Sequence, residues 1–225
     1  PWPAQATLAA AEGQPRQSVG RSRYSNWDHD WSDVVMNQKY ELTDETVKIN
    51  SVILHRIKAL TDFGEVNAGD LGGWVESERN LSHDGNAWVY GNAWVGGNAR
   101  VYDNAWVYGN ARVCGSAWVG DNAWVCDNAW VCDNAWVYGN AWVYGNAWVG
   151  GNARVYGNAR VGGNARVCGS DHLLQVGPIG SRNEYTTFCR AKGNDISVTC
   201  GCYQGSIDDF EARVREVHGD SKYGK

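Results

Sequence analysis

From Asn86 to Gly169 the chain repeats one six-residue pattern of small, large and branched side chains fourteen times without a break. Each phrase runs Asn (once Ser), Ala, Trp or Arg, Val, then two residues drawn from Tyr, Gly, Cys and Asp. Successive side chains of an extended chain point to opposite faces, so Ala and Val share one face and the Trp or Arg between them takes the other. Ala and Val go in; Trp or Arg faces out. The remaining positions are turn chemistry, because Gly and Asn tolerate positive φ and Asn can hydrogen-bond its own backbone. One strand and one turn at a fixed short period predict a stacked parallel β-solenoid, an all-β fold.

The pattern changes on either side of the array. Tyr40 to Thr43, Val47 to Ile49 and Val52 to Leu60 are rich in β-branched and aromatic residues and predict strands. Asn80 to Gly85 fits the six-residue phase, which extends the array to 80–169. Beyond Gly169, Val176 to Arg182 is a Gly/Pro turn, and Tyr185 to Arg190 with Ile196 to Cys202 predict a hairpin. Ser206 then caps a helix carrying Ile207, Phe210, Val214 and Val217 at helical spacing, stopped by Gly219. Residues 1–35 hold no period and are expected to be a disordered extension, with Met36 as the natural start. The expected organisation is that extension, a β cap over 36–79, the solenoid over 80–169, and a ββα cap over 170–225.

Val89 with Ala93, and Val95 with Ala99, place an aliphatic residue and a small one four apart. In this the phrase resembles the hexapeptide repeat of the trimeric LpxA-like superfamily. That resemblance implies a left-handed parallel β-helix with three phrases per coil, about five coils in all, and a homotrimer. Thr61-Asp62-Phe63, Asn67-Ala68-Gly69, Gly72-Gly73-Trp74-Val75 and Leu81-Ser82 resemble the corresponding stretch of uncharacterised YdcK-type proteins of enteric bacteria. This second resemblance implies that Leu71 to Glu78 closes the first coil. Gly177 to Arg182, Thr186-Thr187-Phe188, Cys200-Gly201-Cys202 and His218-Gly219-Asp220 resemble tails of phage and prophage proteins, which implies a mobile-element origin.

With eighteen residues per coil, outward residues form ladders about 4.8 Å per step. One wall carries Trp88, Trp106, Trp124, Trp142 and Arg160; the second Trp94, Arg112, Trp130, Trp148 and Arg166; the third Arg100, Trp118, Trp136 and Arg154. Three readings of these ladders stay open. Indoles and guanidinium planes stacked along each wall hold coils together; alternatively, nine outward Trp form a docking surface for a sister subunit or another protein. A ligand binder stacking sugars or bases on the Trp faces is a third reading.

Composition narrows the rest. The net charge of −5, with five Arg facing four Asp in the array, argues against nucleic acid as a partner. The sequence contains no run of eighteen apolar residues that would predict a membrane span. An odd count of seven Cys, four at the array position that Tyr or Gly also fills, points to free thiols in the cytoplasm. Cys114 and Cys132, eighteen apart, are the one pair whose stacking would suit a disulfide.

Enzyme chemistry finds few candidates. The fourteen phrases contain no His, whereas acyltransferases that resemble this fold use a coil-edge His. His83 beside Asp84 is the one general-base candidate, and a turn His next to Asp is more often a surface residue. Cys189, Cys200 and Cys202 lack zinc-ligand spacing, and Asp28, His29 and Asp30 sit in the aperiodic extension. No metal or cofactor is expected. The expected function is a non-catalytic scaffold working through its Trp and Arg ladders, with an acyltransferase-like hexapeptide enzyme as the remaining alternative that the resemblance implies.

Overall fold

The computed structural model describes residues 38–179, 183–219 and 221. The extension over 1–35, the start at Met36 and the Asp28, His29 and Asp30 cluster lie outside the described residues. The array forms fourteen two-residue strands, β4 (Trp88–Val89) through β17 (Arg166–Val167), one per phrase. From β4 to β14 each strand residue pairs in parallel with the residue eighteen positions on, as Trp124 with Trp142 and Val125 with Val143. Before these come β1 (Tyr40–Ile49), β2 (Val52–Ala59) and β3 (Leu71–Val75). Three walls result, ordered β1-β2-β3-β5-β8-β11-β14-β17, β4-β7-β10-β13-β16 and β6-β9-β12-β15. The array Ala and Val side chains are at most 1% exposed, so the interior is a column of small and branched groups with no polar side chain.

Corners join the coils as well as walls. Asn86, Asn104, Asn122, Asn140 and Asn158 pass one amide hydrogen bond from coil to coil, each Nδ2 donating to the next Oδ1. Where Asp replaces Gly at the positive-φ corner, the carboxylate helps to offset the backbone cost: Asp127 (φ 58°) accepts from the Gly145 N–H at 2.9 Å. The position before the corner is not interchangeable among Tyr, Gly and Cys, as the sequence had suggested. The Tyr102 ring lies where a Cβ on Gly120 would sit, 2.1 Å away, and Tyr144 does the same at Gly162. At these two places the ring of one coil fills the space that glycine leaves on the next, whereas Tyr138 stacks on Tyr156 and leaves room for a side chain there.

The ladder has a direction. Each N–H donates to the following coil, as Trp88 N to Ala105 O and Tyr90 N to Val107 O. The first coil is thus left with unpaired carbonyls and the last with unpaired N–H groups. Burial of either is costly, so each end needs caps of the opposite kind. Donors gather at the first end. Lys39 Nζ reaches Gly85 O and Ala87 O at 3.3 and 2.9 Å, the Tyr40 hydroxyl reaches Leu81 O at 2.8 Å, and Asn80 Nδ2 reaches Gly97 O and Ala99 O at 3.1 and 2.8 Å. Acceptors gather at the other: Thr187 Oγ1 takes Arg160 N–H and His172 Nδ1 takes Cys168 N–H, both at 3.1 Å.

Four details differ from the sequence expectations. Leu81 bridges Val101, twenty residues away, so it fills the Val position and Asn80 to Gly85 is not an in-phase phrase. Two extra residues fall between Ser82 and Asn86. Trp74 and Val75 pair with Trp94 and Val95 in parallel, so the stretch expected to close the coil is itself its first rung. β1 is one strand with an irregularity between Leu42 and Thr46, not two.

The C-terminal sheet has four antiparallel strands rather than a hairpin: β18 (Leu173–Ile179), β19 (Glu184–Arg190), β20 (Ile196–Cys200) and β21 (Tyr203–Ser206). β18 occupies the expected Gly/Pro turn. It is an edge strand, and Pro178 falls inside its register shift between Val176 and Ile179, where a missing N–H is tolerated. Cys189 on β19 and Leu173 extend the prism core past Val167. The helix α1 (Ile207–His218) starts at Ser206, whose Oγ accepts from Asp209 N at 3.1 Å. Phe210 packs on Phe188 and Tyr203.

Candidate functional site: the outer walls

Stacking along the walls is extensive. On the β4 wall, Trp106 stacks on Trp124 (centroids 6.3 Å apart), Trp124 on Trp142 (5.1 Å, planes 4° apart), and Arg160 closes the top at 5.5 Å from the Trp142 ring. The β6 wall is a closed sandwich. Arg100 covers Trp118 at 5.6 Å, Trp118 stacks on Trp136 at 5.4 Å, and Arg154 covers Trp136 at 5.5 Å. On the β3 wall Arg112 lies 4.7 Å from the Trp130 ring and Arg166 5.4 Å from that of Trp148. Thus Trp118, Trp124, Trp136 and Trp142 have both ring faces occupied, and what they offer outward is the ring edge.

The predicted ladders are in register, with one member removed from the surface. Trp88 is fully buried. The β1–β3 cap folds over it, with Phe63 and Tyr40 edge-on at 5.3 and 6.2 Å, so it anchors the cap and is unavailable to a partner. Trp94, Trp106, Trp118 and Trp124 are half-buried. Trp130, Trp136, Trp142 and Trp148, on four successive phrases, are 39–42% exposed and form a belt around all three walls. One coil on lie Arg154, Arg160 and Arg166. The sequence reading missed Trp74, which continues the β3 wall below Trp94 with Arg56 at 5.2 Å from its ring. The Gly72-Gly73-Trp74-Val75 phrase was the available signal.

The cap also frames a cavity of about 330 Å³, lined by Lys39, Thr61, Asp62, Phe63, His83, Asp84, Gly85 and Asn86. His83 stacks on Tyr40 at 4.3 Å, and its Nδ1 accepts the Lys39 N–H at 3.2 Å. Burial lowers the His83 pKa and draws the Lys39 amine down to about 8. With Nδ1 occupied as acceptor, neutral His83 presents Nε2–H, a donor. The ring is held as a structural acceptor and has no lone pair left to serve as a base. Lys39 is committed to carbonyl capping.

A three-walled parallel solenoid with aromatic ladders defines a β-solenoid repeat protein. The model of the YdcK β-solenoid repeat matches residues 93–108, 105–121, 135–151, 147–163 and 153–169. The chain is also similar to the protein described as "Uncharacterized acetyltransferase YdcK" of Escherichia coli (strain K12), 36% identical over 61 residues, 24% of this chain and 19% of that protein. The matched parts of the array, 93–121 and 135–169, are thus similar to the YdcK β-solenoid repeat, and the chain spans about a fifth of the relative's length.

Proposed function

We propose that the protein is a non-catalytic scaffold whose rigid shaft associates side by side with a second copy through the exposed belt. The observation that carries this reading is the closure of the ring faces by neighbouring rings and guanidinium groups. A wall closed in this way is suited to packing through edges. Stacking a sugar or base needs an open face, which Trp118, Trp124, Trp136 and Trp142 lack, and this disfavours the ligand-binding reading on the β4 and β6 walls. Charge placement suits an antiparallel pair. Arg154, Arg160 and Arg166 occupy the late coils, while Asp103, Asp121, Asp127 and Asp133 occupy corners of the earlier ones. Antiparallel contact sets the first group beside the second. The parallel homotrimer implied by the hexapeptide resemblance would set Arg beside Arg.

Acetyl transfer, the activity in the relative's printed name, is disfavoured by the occupied lone pair of His83. Seven cysteine thiols suit a cytoplasmic setting. Sedimentation equilibrium of the full chain tests the proposal, with Trp136→Ala plus Trp142→Ala as the variant and circular dichroism to verify folding. A dimer lost in the folded variant and weakened by salt supports it. A wild-type monomer at all concentrations, or a dimer indifferent to both changes, overturns it.

A further inference from the structure

We propose that Cys114 and Cys132 form an oxidisable dithiol, a modification site at which a small disulfide such as glutathione disulfide converts two stacked thiols into a covalent clamp between adjacent coils. This inference is independent of how the walls associate. Val113 pairs with Val131, and Cys114 N donates to Val131 O at 2.9 Å, so the two cysteines occupy equivalent places on neighbouring rungs. Rungs are about 4.8 Å apart, inside the roughly 4.4–6.8 Å Cα window a disulfide requires.

Among the described residues this is the one pair of cysteines on adjacent rungs. Cys126 has Tyr108 and Tyr144 one coil away on either side, and Gly150 stands between Cys132 and Cys168. In the C-terminal sheet Cys189 pairs with Ser197 and Cys200 with Thr186. The pair also has internal polarity. Trp148 Nε1 donates to Cys132 Sγ at 2.8 Å. The neighbouring Cys132 thiol lowers the Cys114 pKa, while the Cys114 thiol and burial raise that of Cys132. Cys114 is half-buried and Cys132 buried, so the thiol biased toward thiolate is also the one that solvent reaches.

The step balances without further reagents. Cys114 thiolate attacks one sulfur of glutathione disulfide and expels glutathione thiolate, leaving a mixed disulfide. Cys132 then loses its proton to solvent, attacks the Cys114 sulfur and expels the second glutathione. One disulfide is reduced and one formed.

The test uses the full chain in a Cys126→Ser background. Cleavage before Asp would otherwise release identical Asp-Asn-Ala-Trp-Val-Cys peptides ending at Cys126 and at Cys132. The protein is exposed to graded glutathione disulfide, acid-quenched, alkylated, cleaved before Asp and mapped by mass. The expected product is the 103–120 peptide joined to the 127–132 peptide, accompanied by a raised thermal midpoint. Adding Cys132→Ser should arrest the reaction with glutathione retained on Cys114; Cys114→Ser should leave Cys132 unmodified on the same timescale. Separate alkylation of both cysteines under excess disulfide, glutathione on Cys132 in place of Cys114, or Cys114 joined to another cysteine would each overturn the proposal.

Discussion

The shaft and its first end solve the same hydrogen-bonding problem in opposite ways. Inside the array each coil is the template for the next, and the backbone pairs with a copy of itself eighteen residues on. At the end only β3 and the Leu81 bridge continue the ladder, and three unrelated side chains, Lys39, Tyr40 and Asn80, supply further donors. A shaft residue is therefore one of many equivalents. A cap residue has no substitute.

Asparagine tests this contrast most sharply, because it occurs in both settings. Asn80 is fully buried and holds two carbonyls, so Asn80→Ala should cost on the order of 2–6 kcal/mol in a denaturant titration, one unsatisfied buried group being worth about 1–3. Asn122, exposed in the corner ladder, should cost less than about 1 kcal/mol when changed to Ala. Equal costs would erase the distinction between template and cap.

An intermediate effect is expected on the walls. Trp124→Ala removes two stacks and should cost about 1–3 kcal/mol, at about 0.5–1.5 for each aromatic pair. Arg166→Ala, which removes one guanidinium cover, should cost about 0.5–1 kcal/mol in the same titration.

Titration separates the regions as well. His83 has its folded pKa lowered below 6.5 by burial, so the unfolded chain binds its proton first. Stability should then fall as pH drops below about 6.5. Lys39, drawn to about 8, makes stability rise between about pH 8 and 10.5, where the unfolded amine is still protonated and the folded one is not. Thermal midpoints across pH should show both slopes, and His83→Gln should remove the acid-side slope.

These differences explain what could be read in advance. Repetition announces itself, so the inward Ala and Val and the outward Trp and Arg were legible from one phrase, while the eighteen-residue register came with the resemblance to the hexapeptide repeat. The burial of Trp88 was not, because it depends on Phe63 and Tyr40 arriving from residues far away in sequence. The two-residue insertion at His83 and Asp84 was hidden for a related reason. Leu81 suits the Ala position by phase, yet the parallel bridge to Val101 sets it in the Val position. β18 was lost because Gly177 and Pro178 signal a turn locally, whereas an edge strand accommodates them. Closed ring faces also lay beyond sequence, which gives the order of a ladder but not the tilt of its rings.

The most direct test of the stacked walls is a pair of double-mutant cycles on unfolding free energy. Trp124 and Trp142, eighteen apart and stacked, should couple by about 0.5–1.5 kcal/mol. Trp136 and Trp142, six apart on different walls, should couple by less than about 0.5. Coupling between the six-apart pair, or none between the eighteen-apart pair, would contradict the account.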